Sequence, residues 1–219
     1  MKYATIFIQY LVTLLSRPFF YFFFHFKVDG IENLPKDTAV VFATNHTSKL
    51  DPFLLCAGMP LGSRHLPVYF VSREKKFYTS GLIERIFYGG WFFKLLGSYP
   101  AYSGLKDYEL SLREHVTLLN GGKSVCIYPE GGLSRNGHRR KSRGGVAFLA
   151  SKTSSPVIPV HIDGIEDFTW KDFLFRRRKV TVAFGEPQYF KEQPLVEALK
   201  AFSQFIVGAI YTLVEKVNK

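Results

Sequence analysis

Thr38-Ala-Val-Val-Phe-Ala-Thr44, followed without a break by Asn45-His46-Thr47-Ser48-Lys49-Leu50-Asp51-Pro52, is the stretch on which the fold turns. A short continuous apolar run bounded by polar residues reads as a buried strand. Asp51 and Pro52, followed by Phe53, Leu54, Leu55 and Cys56, read as a helix start with Asp51 at the N-cap and proline at the first helical position. A buried strand, a polar turn and a helix in direct succession open an α/β unit.

The alternation continues outward. Further strands are predicted at 66–71, 124–128, 157–162 and 179–184, and a short helix from 145 to 150. A helix over 103–119 stops at Asn120-Gly121-Gly122. Residues 75–96 read as two helical pieces broken at Gly89-Gly90. Apolar residues recur at helical spacing over 195–217, read as a helix capping the domain. No repeat or long linker divides the chain, so the fold class is a single α/β domain. Its central sheet is mostly parallel or mixed and is flanked by helices.

Lys and Arg number 29 against 18 Asp and Glu, a net charge of +11, and 47% of residues are hydrophobic. That composition excludes a disordered chain and favours polyanionic partners: nucleic acid, an anionic membrane or phosphorylated substrates. The basic runs at 139–143 and 176–179 have no nucleic-acid recognition motif beside them, so no nucleic acid is expected as partner. Cys56 and Cys126 each sit in an apolar run and read as reduced core residues of a cytosolic compartment.

Between Tyr3 and Phe26 the only formal charge is Arg17. As one helix this run would reach about 36 Å, enough to cross a hydrocarbon core. Arg17-Pro18 inside it argues against a plain span, since proline kinks or ends a helix and arginine is costly at the bilayer centre. No small-x-small cleavage pattern follows, which argues against a signal peptide. An interfacial or re-entrant anchor over residues 1–26 is expected, ahead of a catalytic domain over 27–219. A single span, or an apolar helix packed on its own domain, are the alternatives.

Histidine suits base work near neutral pH, and a carboxylate can fix its tautomer and stabilise its charged form. On a continuous helix His46 and Asp51 would point about 140° apart, so only a turn between strand and helix brings them together. The strand at 124–128 leads into Pro129-Glu130-Gly131-Gly132-Leu133-Ser134-Arg135, and later come Arg143-Gly144-Gly145 and Pro156-Val-Ile-Pro-Val160. Glycines let a backbone approach an anion closely, and Arg135, Arg139, Arg140, Lys141 and Arg143 cluster around this loop. No Gly-x-Ser-x-Gly or His-Glu-x-x-His occurs, and Gly122-Lys123-Ser124 precedes a strand where a phosphate loop would follow one. His25, His65, His115, His138 and His161 show no metal-ligand spacing.

The order and spacing of these blocks resemble the glycerolipid acyltransferases typified by lysophosphatidate acyltransferase, from about residue 28 to 187. The Asn-His-x4-Asp from Asn45 to Asp51, the Pro-Glu-Gly at 129–131 with Ser134, and the Val-Ile-Pro-Val at 157–160 carry the likeness. It implies a glycerol-3-phosphate acyltransferase-like fold, with His46 as general base and Asp51 orienting it. An N-terminal hydrophobic segment would hold the enzyme on the membrane. The substrate-binding set expected around the dyad is Asn45, Glu130, Gly131, Gly132, Ser134, Arg135 and Arg143.

The implied reaction moves a fatty acyl group from acyl-CoA or acyl carrier protein to the hydroxyl of a lysophospholipid, first of all 1-acylglycerol-3-phosphate. It would run at the cytoplasmic face of an anionic membrane, with no metal and no bound cofactor. Because the attacking oxygen belongs to the substrate, the enzyme needs no nucleophile. Backbone amides near the Asp51 helix start or at Gly131-Gly132 would stabilise the oxyanion. The family's third block usually runs Glu-Gly-Thr-Arg-Ser, whereas this chain has Gly132 and Leu133, with Arg135 two residues on. Its second block, Gly97 to Tyr102, is followed by Ser103 rather than arginine. Those arginines grip the acceptor phosphate, so a lysophospholipid with a larger headgroup remains an alternative acceptor. A non-catalytic lipid-binding protein of the same fold is a further alternative.

Overall fold

The computed structural model describes residues 2–72, 94–102, 107–134, 141–169, 171–172, 175–176 and 178–217. Its strands are β1 (His25–Asp29), β2 (Val41–Thr44), β3 (Tyr69–Ser72), β4 (Ser98–Pro100), β5 (Val125–Ile127), β6 (Val157–Asp163) and β7 (Lys179–Phe184). They form one seven-stranded sheet in the order β1-β7-β6-β2-β5-β3-β4. All neighbours pair parallel except β6 and β7, which are antiparallel. The α-helices that lie wholly within the described residues are α1 (Lys2–Phe23), α2 (Asp51–Gly58), α3 (Tyr108–Asn120), α4 (Gly145–Thr153) and α5 (Val196–Val217). The single α/β domain with a mixed sheet is thus as the sequence predicts. The two helical pieces expected over 75–96 lie almost wholly outside the described residues.

β2 is central and buried at every residue, which explains its unbroken apolar run. Side chains alternate across a strand, so Val40 and Phe42 enter one core with α1 and α2. Val41 and Ala43 enter the other, against α3, α4 and α5. Both cysteines are free and buried, and burial pushes the Cys56 thiol up to about 12. Strand β1 was not predicted: it pairs only with β7, and its Lys27 and Asp29 hide the apolar signal. It places Phe26 opposite Val180 in the sheet, so a boundary at residue 26 passes through β1.

Helix α1 runs unbroken through Pro18, where the sequence suggested a kink or a stop. Pro18 is on the exposed side, while Phe20 is buried and the Arg17 guanidinium donates to Met59 O (3.3 Å). The inward stripe of α1 is partly polar: Thr5, Gln9 and Thr13, four residues apart, are buried. Tyr3, Phe7, Leu14, Leu15 and Phe22 point outward and are exposed. Gln9 clamps the start of β3: Nε2 donates to Val68 O (2.6 Å) and Leu96 O (2.7 Å), and Val68 N donates to Oε1 (2.9 Å). Gly97, at φ 81°, makes room, since a Cβ there would lie 2.4 Å from Gln9 Nε2.

Gln9→Leu should therefore destabilise the fold by roughly 1–3 kcal/mol for each buried backbone group left unpaired. Denaturant unfolding of the purified protein checks this, and a midpoint equal to wild type would mean that α1 is only loosely applied to the domain. By length and composition α1 and α5 could each cross a membrane. Yet α5 buries Ile206, Val207 and Ile210, and its Ser203 hydroxyl accepts the Ala147 amide (3.3 Å).

Candidate active site

Strands β2, β5 and β6 are parallel, so their C-terminal ends open at one edge of the sheet. Beyond β2 the chain turns sharply into α2. Asn45 holds the exit: its Nδ2 donates to Ile162 O (2.7 Å) and Ile162 N donates to its Oδ1 (2.8 Å). Asn45, expected as a substrate ligand, braces β2 against β6 and is 1% exposed, with its carboxamide engaged by main chain.

His46 and Asp51 meet in the turn, with Nδ1 2.8 Å from Oδ2. The same Oδ2 accepts the Thr47 amide (2.9 Å) and the Ser48 amide (3.0 Å). Asp51 is not the N-cap that the sequence suggested. Leu50 holds that position without a side-chain cap bond, and the Asp51 carboxylate turns back onto the preceding loop. A carboxylate only accepts, so His46 Nδ1 carries a proton, and in the neutral ring Nε2 is the nitrogen with the free lone pair. Asp51 is fully buried, while the His46 side chain is 19% exposed. The imidazole stacks on Tyr128, centroids 4.0 Å apart at 22°. Burial pushes the Tyr128 hydroxyl well above the ordinary tyrosine range, so the ring is a neutral platform.

The loop after β5 lies against this dyad. Ser134 N donates to His46 O (2.7 Å), and Arg143 N donates to Pro129 O (3.0 Å). Glu130 is 4% exposed. It accepts from Ser134 Oγ on one oxygen (2.7 Å) and from the Tyr211 hydroxyl on the other (2.7 Å). Glu130 and Ser134, expected to touch substrate, thus brace the loop through these side-chain bonds. Gly131 adopts φ 70°, and a Cβ there would meet Arg143 Nε at 3.1 Å. The exposed Arg143 side chain therefore packs directly on the glycine backbone. Gly144 N donates to the Tyr108 hydroxyl (3.0 Å), fixing the start of α4.

The structure thus gathers Asn45, His46, Asp51, Glu130, Gly131, Gly132, Ser134 and Arg143, while Arg135 and Ser103 lie outside the described residues. It also exposes partners that the sequence reading missed. Tyr128 was visible only as the last residue of an apolar run, and Tyr211 only as one aromatic on a long helix. Glu166, in the loop after β6, has its carboxyl pushed up by burial and by the charges of Asp163 and Asp51. Of the amides considered for an oxyanion, those of Thr47, Ser48, Leu50 and Asp51 already have acceptors. Gly131 N donates to Tyr128 O (2.9 Å). Gly132 N has no acceptor among the described residues.

The chain matches the Acyltransferase family model over residues 25–163. It is 26% identical over 199 residues to a chloroplastic 1-acyl-sn-glycerol-3-phosphate acyltransferase of Brassica napus, covering 89% of this chain and 54% of that one. It therefore spans about half the length of that relative. It is 25% identical over 202 residues to the 1-acyl-sn-glycerol-3-phosphate acyltransferase of Bacillus subtilis, covering 88% of this chain and 90% of the relative. The crystal structure of the 1-acyl-sn-glycerophosphate acyltransferase PlsC from Thermotoga maritima superposes with a TM-score of 0.67 at 22% identity. That match covers 98% of this chain and 82% of the other, and establishes a common fold. The family match takes in the dyad, its stacking platform and the loop that braces it, and the chain belongs to the Acyltransferase family.

Proposed function

We propose that this chain transfers a fatty acyl group from a thioester, acyl-CoA or acyl carrier protein, to the hydroxyl of 1-acylglycerol-3-phosphate, giving phosphatidic acid. The observation that carries this reading is His46: Nδ1 is held by a buried carboxylate and the ring is partly open to solvent. Nε2 removes the acceptor hydroxyl proton as the oxygen bonds to the thioester carbonyl carbon. The tetrahedral adduct then collapses, the carbon–sulfur bond breaks, and the leaving thiolate takes the proton back from His46. Asp51 stabilises the imidazolium between these steps. The Gly132 amide supports an oxyanion role better than the amides of the α2 start, which are already engaged. The acyltransferase names of the relatives support lysophosphatidate as acceptor.

Membrane association is part of the proposal. Helix α1 turns its Thr5, Gln9 and Thr13 stripe to the protein and its Tyr3, Phe7 and Leu15 face outward, the reverse of a helix on a water-soluble surface. Arg17 lies over Tyr21 (5.9 Å) and Arg176 over Phe22 (5.6 Å), so cations accompany the exposed aromatics. Free cysteines and the basic excess suit the cytoplasmic face of an anionic membrane.

A second acceptor is favoured by one observation: Leu133, half-buried, offers no donor where the family supplies arginine. Acyl transfer measured on lysophosphatidate and lysophosphatidylethanolamine, with acyl-CoA and with acyl carrier protein, decides. Preference for lysophosphatidate is the expected result. Preference for the diester would overturn the monoester acceptor, and no transfer to any lysolipid would leave a lipid-binding protein without catalysis.

A further inference from the structure

Tyr211 sits on α5, outside the residues of the family match, and reaches 81 positions back along the chain to Glu130. Its hydroxyl donates to Glu130 Oε1 (2.7 Å) while Ser134 Oγ donates to Oε2 (2.7 Å). Both oxygens of a carboxylate only 4% exposed are thereby held by hydroxyl groups. The same Ser134 donates its amide to His46 O (2.7 Å), so the chain of contacts runs from α5 through Glu130 and Ser134 to the backbone of the base. Helix α5 is itself fixed. Ile206 and Ile210 are buried, Ser203 Oγ accepts from Ala147 N (3.3 Å), and the Tyr211 ring packs on His161, centroids 5.6 Å apart.

We infer that Tyr211 is a positioning residue that acts through Glu130 to hold the 129–134 loop in the shape the acceptor meets. The inference rests on the proposed acyl transfer for its kinetic readout. His46 keeps its own supports, the Asp51 carboxylate and the Tyr128 ring, when the Tyr211 bond is lost. Gly131 belongs to the loop that loosens, and the Arg143 side chain packs on it. The loss therefore falls mainly on acceptor binding, to a lesser degree on the oxyanion contact of the Gly132 amide, and not on proton removal by His46.

The test is Tyr211→Phe, which keeps the ring and its packing and removes one oxygen. A hydrogen bond to a charged group corresponds to a factor of about ten or more, so the acceptor KM should rise about tenfold. The donor KM should stay within about twofold, and any fall in kcat, through the Gly132 amide of the same loop, should be smaller than the rise in acceptor KM. Hydrogen exchange on the full chain supplies a readout independent of activity: the Ser134 and Arg143 amides should exchange faster, and those of Thr47 and Ser48 at the wild-type rate. In a Glu130→Ala background, adding Tyr211→Phe should change neither exchange nor acceptor KM. An unchanged acceptor KM with unchanged exchange, equal rises in both KM values, or a further loss in the Glu130→Ala background would each overturn the inference. Should wild type acylate no lysolipid, the acyl-transfer reading falls and the exchange rates alone decide the role of Tyr211.

Discussion

His46→Ala should lower turnover at least ~100-fold, the usual scale for losing a general base, while the protein still folds. The side chain is partly exposed, 19%, and lies at the end of a strand rather than in either apolar core. Its removal leaves Asp51 bonded to the amides of Thr47 and Ser48, so the turn keeps its shape. The Ser134 bond is to the His46 carbonyl and survives the substitution. What disappears is the lone pair on Nε2 that accepts the hydroxyl proton. Turnover by the purified variant within a few-fold of wild type would end the base mechanism; circular dichroism and thermal melting exclude misfolding as the cause of a loss.

Asp51→Asn is expected to lose roughly 10–100-fold, the equivalent of a hydrogen bond to a charged partner. The geometry explains why the loss should be large yet smaller than for His46→Ala. One oxygen, Oδ2, accepts from His46 Nδ1 and from the Thr47 and Ser48 amides. An asparagine must put its carbonyl oxygen there, because its NH2 group would face those backbone donors. The imidazole then keeps its tautomer and loses only the negative charge that stabilises the imidazolium. Asp51→Ala removes the acceptor as well, frees the ring to choose either tautomer, and should fall to the level of His46→Ala. Equal kcat for Asp51→Asn and wild type would show that the buried charge plays no part. Single-turnover acyl transfer separates this from effects on product release.

The contacts legible in the sequence are those made within a few residues. His46 and Asp51 are five positions apart, and a strand ending in a turn leaves them little choice but to meet. The strands of the central sheet were legible for a related reason: a strand buried on both faces must be apolar throughout, as β2 and β5 are. The polar stripe of Thr5, Gln9 and Thr13 was also present in the sequence. Its meaning was not, because the groups that Gln9 satisfies, on Val68 and Leu96, are 59 and 87 positions away along the chain.

The roles inside the site depend on sheet order instead. Asn45 binds Ile162 because β6 lies beside β2, and Tyr128 stacks on His46 because β5 lies on the other side. Neither neighbour can be inferred from spacing along the chain. The same holds for Glu130, whose block suggested a substrate contact and whose carboxylate is engaged by Ser134 and Tyr211. A side chain's partners are set by whichever elements the core brings against it. The residue types able to do the chemistry are thus written in the chain, while the choice between touching substrate and holding the base in place is made only by packing.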